Sequence, residues 1–303
     1  MEKTIRVGII GLDTSHAVLF TEMLNNKAHP YHVQGGKVIA AYPGGSADFE
    51  LSYSRVEGYT AKLRDQFDVQ IMNSVEGVVE LVDAMLLESV DGRVHLEQFK
   101  RVASCGNGKP VFIDKPLTIN TQEAEEIFAV AAKFNVPIMS SSSLRYAEAI
   151  TQSLSDEEKG HIIGVDCYGP MPLQPTQPGL FWYGIHTVEM LFAALGGNCL
   201  QVTTSSTENH DLVVGAWEDG RIGTIRGNRQ GNQTFGAMLH REQGSQFVDI
   251  NAHPKPYYAS LLEQIMVLFT KGVTDIAPQE TIQIIRFIEA ANESKQSGRT
   301  IDL

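Results

Sequence analysis

Short apolar runs alternate with helical stripes over the first 140 residues of the chain. Ile5 to Ile10 is a β-prone run that stops at Gly11. Thr14 to Asn25 places Ala17, Phe20 and Leu24 at i, i+3 and i+7, the apolar stripe of an amphipathic helix. Val38 to Tyr42 reads as a second strand, Thr60 to Asp68 as helix and Val69 to Met72 as a short strand. A brief helix over Glu76 to Val82 leads to a strand over Ala84 to Leu87. Val94 to Ala103 is helical, opened by Asp91-Gly92. Val111 to Lys115 is a strand, and Asn120 with Glu123 forms a capping box for the helix that carries Ile127, Ala131 and Phe134. Val136 to Met139 is the last strand of this half. The β-α-β alternation predicts a parallel, doubly wound sheet.

The pattern changes after the serines at 140–143. His161 to Tyr168 is a strand, followed by a loop with prolines at 170, 172, 175 and 178. Ile185, Val188, Phe192 and Leu195 give a helix that stops at Gly196-Gly197. Five β-prone segments follow: 200–206, 211–217, 221–226, 234–240 and 246–250. Glu218-Asp219-Gly220 is a hairpin turn between two of them. Helices over 258–270 and 278–296 close the chain. The expected architecture is an N-terminal doubly wound parallel domain over residues 1–143. An α+β domain with a mostly antiparallel sheet then covers 144–303.

Composition narrows the function. A net charge of −12 argues against a broad nucleic-acid surface, which needs clustered Lys and Arg. The three cysteines have no CxxC spacing and point to a reducing compartment, without a disulfide framework or a zinc site. Met1 runs straight into a strand with no leader-like apolar region, and no apolar run is long enough for a bilayer. The expectation is a cytoplasmic protein with no nucleic-acid or membrane partner.

Candidate chemistry concentrates at Val111-Phe112-Ile113-Asp114-Lys115-Pro116. Pro116 cannot continue a ladder, so a lysine stands at the carboxyl end of a buried strand. Ligands bind at that edge in open α/β sheets. Ser89, after the strand at 84–87, and His95 lie on the same edge. The Gly11 turn opens a dinucleotide-binding unit, yet aligning G-x-G-x-x-G on Gly11 puts Asp13 and His16 at the second and third glycines. Asp13, Thr14 or Ser15 can cap the helix, and its free N–H groups can take an anion. Asp13 and His16 could also pair as metal ligands, but sequence offers no third partner and no metal site is assigned. Tyr42 is followed by a Gly-rich loop with no acid before Asp48. In the second half, Arg145 could reach a ligand or make a salt bridge. His186 and Glu189, at i and i+3, can touch and make an acid/base pair. Trp182 and Tyr183 could stack on a sugar face.

Together these pieces resemble the Gfo/Idh/MocA oxidoreductases, over nearly the whole chain. The resemblance rests on Val7-Gly8-Ile9-Ile10-Gly11, on Asp114-Lys115-Pro116 for the family's Glu-Lys-Pro, and on Gly184-Ile185-His186 within a degenerate Asp-x-Gly-x-His-x-x-Asp. Trp182 stands where that motif has an acid. The resemblance implies a nicotinamide cofactor, NAD or NADP. Its expected contacts are Gly11, Leu12, Asp13, Thr14, Ser15, His16, Tyr42, Ser89, His95, Asp114 and Lys115. It implies a small sugar, polyol or related substrate on Arg145, Trp182, Tyr183 and His186, with Lys115, His186 and Glu189 in the catalytic roles. A homo-oligomer, dimer or tetramer, through the second-domain sheet is expected by the same analogy. The alternatives are a non-catalytic ligand-binding or regulatory protein on this fold, or a lyase or hydrolase using the same Lys and His.

Overall fold

Parallel strands with buried apolar side chains build the first sheet: β1 (Ile5–Ile10), β2 (Gly36–Tyr42), β3 (Gln70–Ile71), β4 (Ala84–Leu87), β5 (Val111–Asp114) and β6 (Ile138–Ser141). The computed structural model describes residues 4–303; Met1 to Lys3, where the expected lead into β1 begins, lie outside the described residues. The order is β3-β2-β1-β4-β5-β6, so it reverses between β1 and β4. That reversal is the switch point at which ligands sit in doubly wound sheets. The helices between strands are α1 (Ser15–Asn25), α2 (Glu50–Phe67), α3 (Val75–Leu81), α4 (His95–Cys105) and α5 (Thr121–Phe134). β1 admits α3 at close range through Gly8, where an added Cβ would lie 2.5 Å from Val78 Cγ1.

Two elements depart from expectation for local reasons. α2 begins at Glu50, ten residues ahead of the expected Thr60, because it buries only Ser52 and Leu63 and so carries no apolar stripe. β6 runs to Ser141, beyond the expected Met139, because Ser140 and Ser141 pair with Ile113 and Asp114 of β5. Two serines in a strand carry no β signal; the ladder supplies it.

The chain divides into two compact units. Residues up to Thr118, Gln122–Ser141 and Leu261–Ile276 make the first; Ile119–Thr121, Ser142–Ser260 and Ala277–Leu303 make the second. In the second lie α6 (Glu148–Ser155), β7 (Ile162–Pro170), α7 (Gly184–Leu195), β8 (Cys199–Ser206), β9 (His210–Trp217), β10 (Ile222–Asn228), β11 (Gly236–Arg241) and β12 (Gly244–Asp249). α8 (Tyr257–Lys271) starts in the second unit and continues into the first, and α9 (Pro278–Ser297) and β13 (Ile301–Asp302) complete the second. The sheet order is β12-β11-β7-β10-β9-β8-β13. β7 and β10 are parallel and the other pairings are antiparallel. α7 and α9 cover the sheet, α7 against β7 and β10, α9 against β8. The three cysteines are free, and burial pushes the Cys199 thiol up to about 11. No helix among the described residues is long and apolar enough to cross a membrane.

One buried acid ties this unit together. Asp211 on β9 accepts from Ser206 Oγ at 2.6 Å, from Lys295 Nζ at 3.0 Å and from Arg229. Burial opposes its ionisation, but the bonds from Arg229, Ser206 and Lys295 win and hold its carboxyl below the ordinary value. A depressed folded-state pKa adds stability above the unfolded value of about 4 and loses it as pH falls through the lower folded value. Asp211→Asn is therefore expected to lower stability at pH 7 and to flatten the acid limb below about pH 4. Urea melts of both proteins from pH 7 to pH 2 check this; parallel pH profiles would refute it.

Candidate active site

The carboxyl edge of the first sheet is built by the ends of β1, β4 and β5 and the start of α1. Gly11 ends β1 at φ +92, and a Cβ there would lie 2.4 Å from Ser89 N. The turn thus needs glycine both for its backbone angle and for the close approach of the chain after β4. Thr14 caps α1 by accepting from His16 N at 3.4 Å. Lys115 follows β5, joins Pro116 through a cis peptide, and is 8% exposed.

His16 resolves one departure from the glycine pattern. Its imidazole turns to the strand ends, with Nδ1 3.1 Å from Asp114 Oδ2 and 3.8 Å from Glu88 Oε2. Glu88 is wholly buried and its backbone N–H donates to Ile10. Burial first, then the charge of Asp114, holds the Glu88 carboxyl well above the usual range, against the pull of Lys115. Burial also opposes ionisation of Asp114, but His16 and Lys115 outweigh it and hold that carboxyl down. Sequence reading passed over Glu88, because an acid after a strand is unremarkable until the fold sets it beside His16.

Asp13 resolves the other departure. Its carboxylate points inward, accepting from Ser52 Oγ at 2.6 Å and from Val90 N at 3.0 Å, and it is fully buried. Burial raises its carboxyl pKa, and those two bonds offset part of the rise. It is a brace between α2 and the segment after β4, not a charge facing a phosphate. Asp13→Ala is expected to leave dinucleotide affinity within about twofold, and to cost roughly 1–3 kcal/mol of stability by orphaning the Val90 N–H. Calorimetry and denaturant melts measure the two; tighter dinucleotide binding in the variant would reverse the assignment.

Several expected cofactor contacts also hold the edge of the sheet together. Leu12 is fully buried and gives its N–H to Pro43 O at 2.7 Å; the Gly11 N–H goes to Tyr42 O at 3.0 Å. Ser89 is buried, with its hydroxyl on Gln98 and its carbonyl 2.7 Å from His95 Nε2. His95 is fully buried, and its Nδ1 lies 3.0 and 3.1 Å from the carbonyls of Pro116 and Leu117. It clamps the turn after β5 to the turn after β4. Tyr42 is half-buried and interacts with Arg101. The groups that fit a dinucleotide phosphate are the positive-φ Gly11 turn and the eleven-residue α1 beginning at exposed Ser15.

In the second unit His186 stands in the first turn of α7. Its Nδ1 is 2.7 Å from Ser142 Oγ. Tyr183 and Phe235 meet the ring edge-on, at centroid distances of 5.4 and 5.7 Å, and Trp182 lies 6.0 Å from Tyr183. All four rings are half-buried. Phe235 escaped sequence reading because it precedes β11 in a polar loop. Glu189 follows His186 by three residues on α7. Its oxygens accept from Ser142 N at 3.3 Å and from Arg145 Nε at 2.9 Å, and the Ser142 hydroxyl in turn meets His186. Arg145 is held by both Glu189 and Glu280, which is the salt bridge the sequence allowed beside a ligand contact.

Residues 5–142 match the model of the Gfo/Idh/MocA oxidoreductase family, NAD-binding Rossmann fold. No curated protein matches the chain by sequence. Among solved structures, the chain is similar to scyllo-inositol dehydrogenase from Lactobacillus casei with bound NAD(H) and scyllo-inositol. That match has TM-score 0.81 and 14% identity, and covers 99% of each chain. Myo-inositol 2-dehydrogenase from Lactobacillus plantarum matches at TM-score 0.80 and 16% identity, covering 99% of this chain and 100% of that one. At such identities the likeness is one of fold.

Proposed function

We infer, for a chain whose residues 5–142 match the Gfo/Idh/MocA oxidoreductase family with its NAD-binding Rossmann fold, that the reaction is NAD(P)-dependent dehydrogenation of a sugar, polyol or cyclitol. The observation that carries this reading is Lys115, nearly buried at the carboxyl end of β5 in a sheet whose first turn is Gly11. A nicotinamide, when bound, supplies the hydride acceptor. Lys115 takes the proton of the substrate hydroxyl. His186, held by Ser142, is the second proton-handling group. Trp182, Tyr183 and Phe235 offer apolar faces to the C–H side of a sugar or cyclitol ring.

The test is a screen of myo-inositol, scyllo-inositol and common hexoses with NAD and NADP, followed by absorbance of the reduced nicotinamide. Turnover on one of these that vanishes in Lys115→Met supports the reading. Calorimetric binding of dinucleotide and polyol without turnover would place the chain among non-catalytic ligand-binding proteins instead. The reading extends to a cytoplasmic homo-oligomer packed on the second sheet, where Leu200, Leu212, Ile222, Ile163 and Phe247 are exposed. A monomer mass by light scattering would remove that part.

A further inference from the structure

Three of the four carboxylate oxygens of Glu88 and Asp114 have no hydrogen-bond partner among the described residues: Glu88 Oε1, Glu88 Oε2 and Asp114 Oδ1. Glu88 is 0% exposed and Asp114 1% exposed. Buried polar atoms are almost always satisfied, and an exception calls for an ion, a water or a functional role. One of them, Glu88 Oε2, and the remaining Asp114 oxygen, Oδ2, lie beside an imidazole nitrogen. His16 Nδ1 lies 3.1 Å from Asp114 Oδ2 and 3.8 Å from Glu88 Oε2, and the three ligand atoms, one from each residue, all fall within 4.8 Å of one another.

We propose that His16, Glu88 and Asp114 bind one divalent transition-metal ion, zinc in preference to magnesium or calcium, at the carboxyl edge of the first sheet. One nitrogen and two carboxylates are a donor set suited to zinc or manganese. Ligands about 2.0–2.2 Å from a shared ion are themselves about 3–3.5 Å apart, so the cluster needs to close by less than the width of an atom. Two carboxylates match the charge of a divalent ion. Lys115 and Asp13 are both within electrostatic reach of Glu88 and act on it with opposite signs. The His16 side chain keeps 10% of its surface exposed, which leaves an entry path. The ligands come from α1, the end of β4 and the end of β5, so the site is set by the fold and not by a mobile loop. Three protein ligands also leave one position of a tetrahedral ion open. By contrast, the exposed His240–Asp166 pair belongs to no such three-residue cluster among the described residues.

This inference does not rest on the dehydrogenase reading, and it is tested without substrate or nicotinamide. Chelator-stripped full-length protein is titrated with zinc chloride by calorimetry and melted with and without zinc. The expected result is one equivalent bound and a rise in melting temperature that EDTA reverses. Glu88→Gln and His16→Gln should each weaken zinc by at least the ~100-fold that loss of an outer-shell partner can cost. His240→Gln should leave binding unchanged. Cobalt(II) added to the wild-type protein needs no variant; an intense visible band from four-coordinate cobalt is expected. The proposal is overturned by absence of stoichiometric zinc or manganese binding, by equal affinity in Glu88→Gln, or by the pale spectrum of hydrated cobalt. Magnesium bound as tightly as zinc would also overturn it, because the imidazole would then have no part.

Discussion

Lys115→Met lowers turnover by about 10²–10⁴-fold and shifts the melting temperature by only a few degrees; this is the result expected of a positioned proton donor and acceptor. Methionine keeps most of the volume of the lysine stem, so the nearly buried position stays filled. The charge it removes is felt by Glu88 and Asp114. Asp114 still has His16 at 3.1 Å, and Glu88, which holds its proton well above the usual range, does not become a bare charge. The fold therefore has little to lose. If proton handling matters in the transition state more than in binding, kcat falls while KM moves little. Steady-state kinetics on the substrate found by screening, with circular dichroism melts of the same samples, make the comparison. An unfolded variant whose surviving fraction turns over normally would make Lys115 a structural cation.

The first unit was legible because its strands are buried on both faces and read as apolar runs; β1, β4 and β5 appear within a residue of where the sequence puts them. α2 was legible only in its second half, because a helix lying on the surface with two buried residues has no periodic stripe to read. Site residues divide along the same line. Local signals mark the candidates Lys115 and His186, a strand stopped by proline and a helix start. Glu88, Ser142, Phe235 and the inward turn of Asp13 depend on partners far along the chain: Ser142 reaches residue 186 and Asp13 reaches residues 52 and 90. No window of sequence contains both halves of such a contact. The Asp13 and His16 departures look like losses when read against a glycine pattern. In three dimensions each side chain has a definite bond, one to Ser52 and Val90, the other to Asp114.

Arg145→Met is expected to cost the fold about 3–5 kcal/mol, the penalty of removing one partner from a buried ion pair. Arg145 has 10% of its side chain exposed, Glu189 3% and Glu280 20%. Without the guanidinium, Glu189 loses the charge-assisted bond from Arg145 Nε and retains the Ser142 N–H at 3.3 Å. Burial already raises the Glu189 carboxyl above its ordinary value, with Arg145 opposing that rise. Removing Arg145 removes the opposition, so the folded-state pKa climbs further. A carboxyl whose folded pKa lies above its unfolded value binds more protons in the native state, and stability then falls as pH rises between the two values. The deficit of Arg145→Met should accordingly be largest near pH 7 and shrink toward pH 5, where Glu189 can take up a proton. Glu189→Gln placed on the same chain should recover much of the loss, since a neutral amide no longer needs a counter-charge. Guanidinium melts of the single and double variants at pH 7 and pH 5 read all three effects. A stable Arg145→Met protein with a raised KM would return the residue to the substrate site that its position after β6 first suggested.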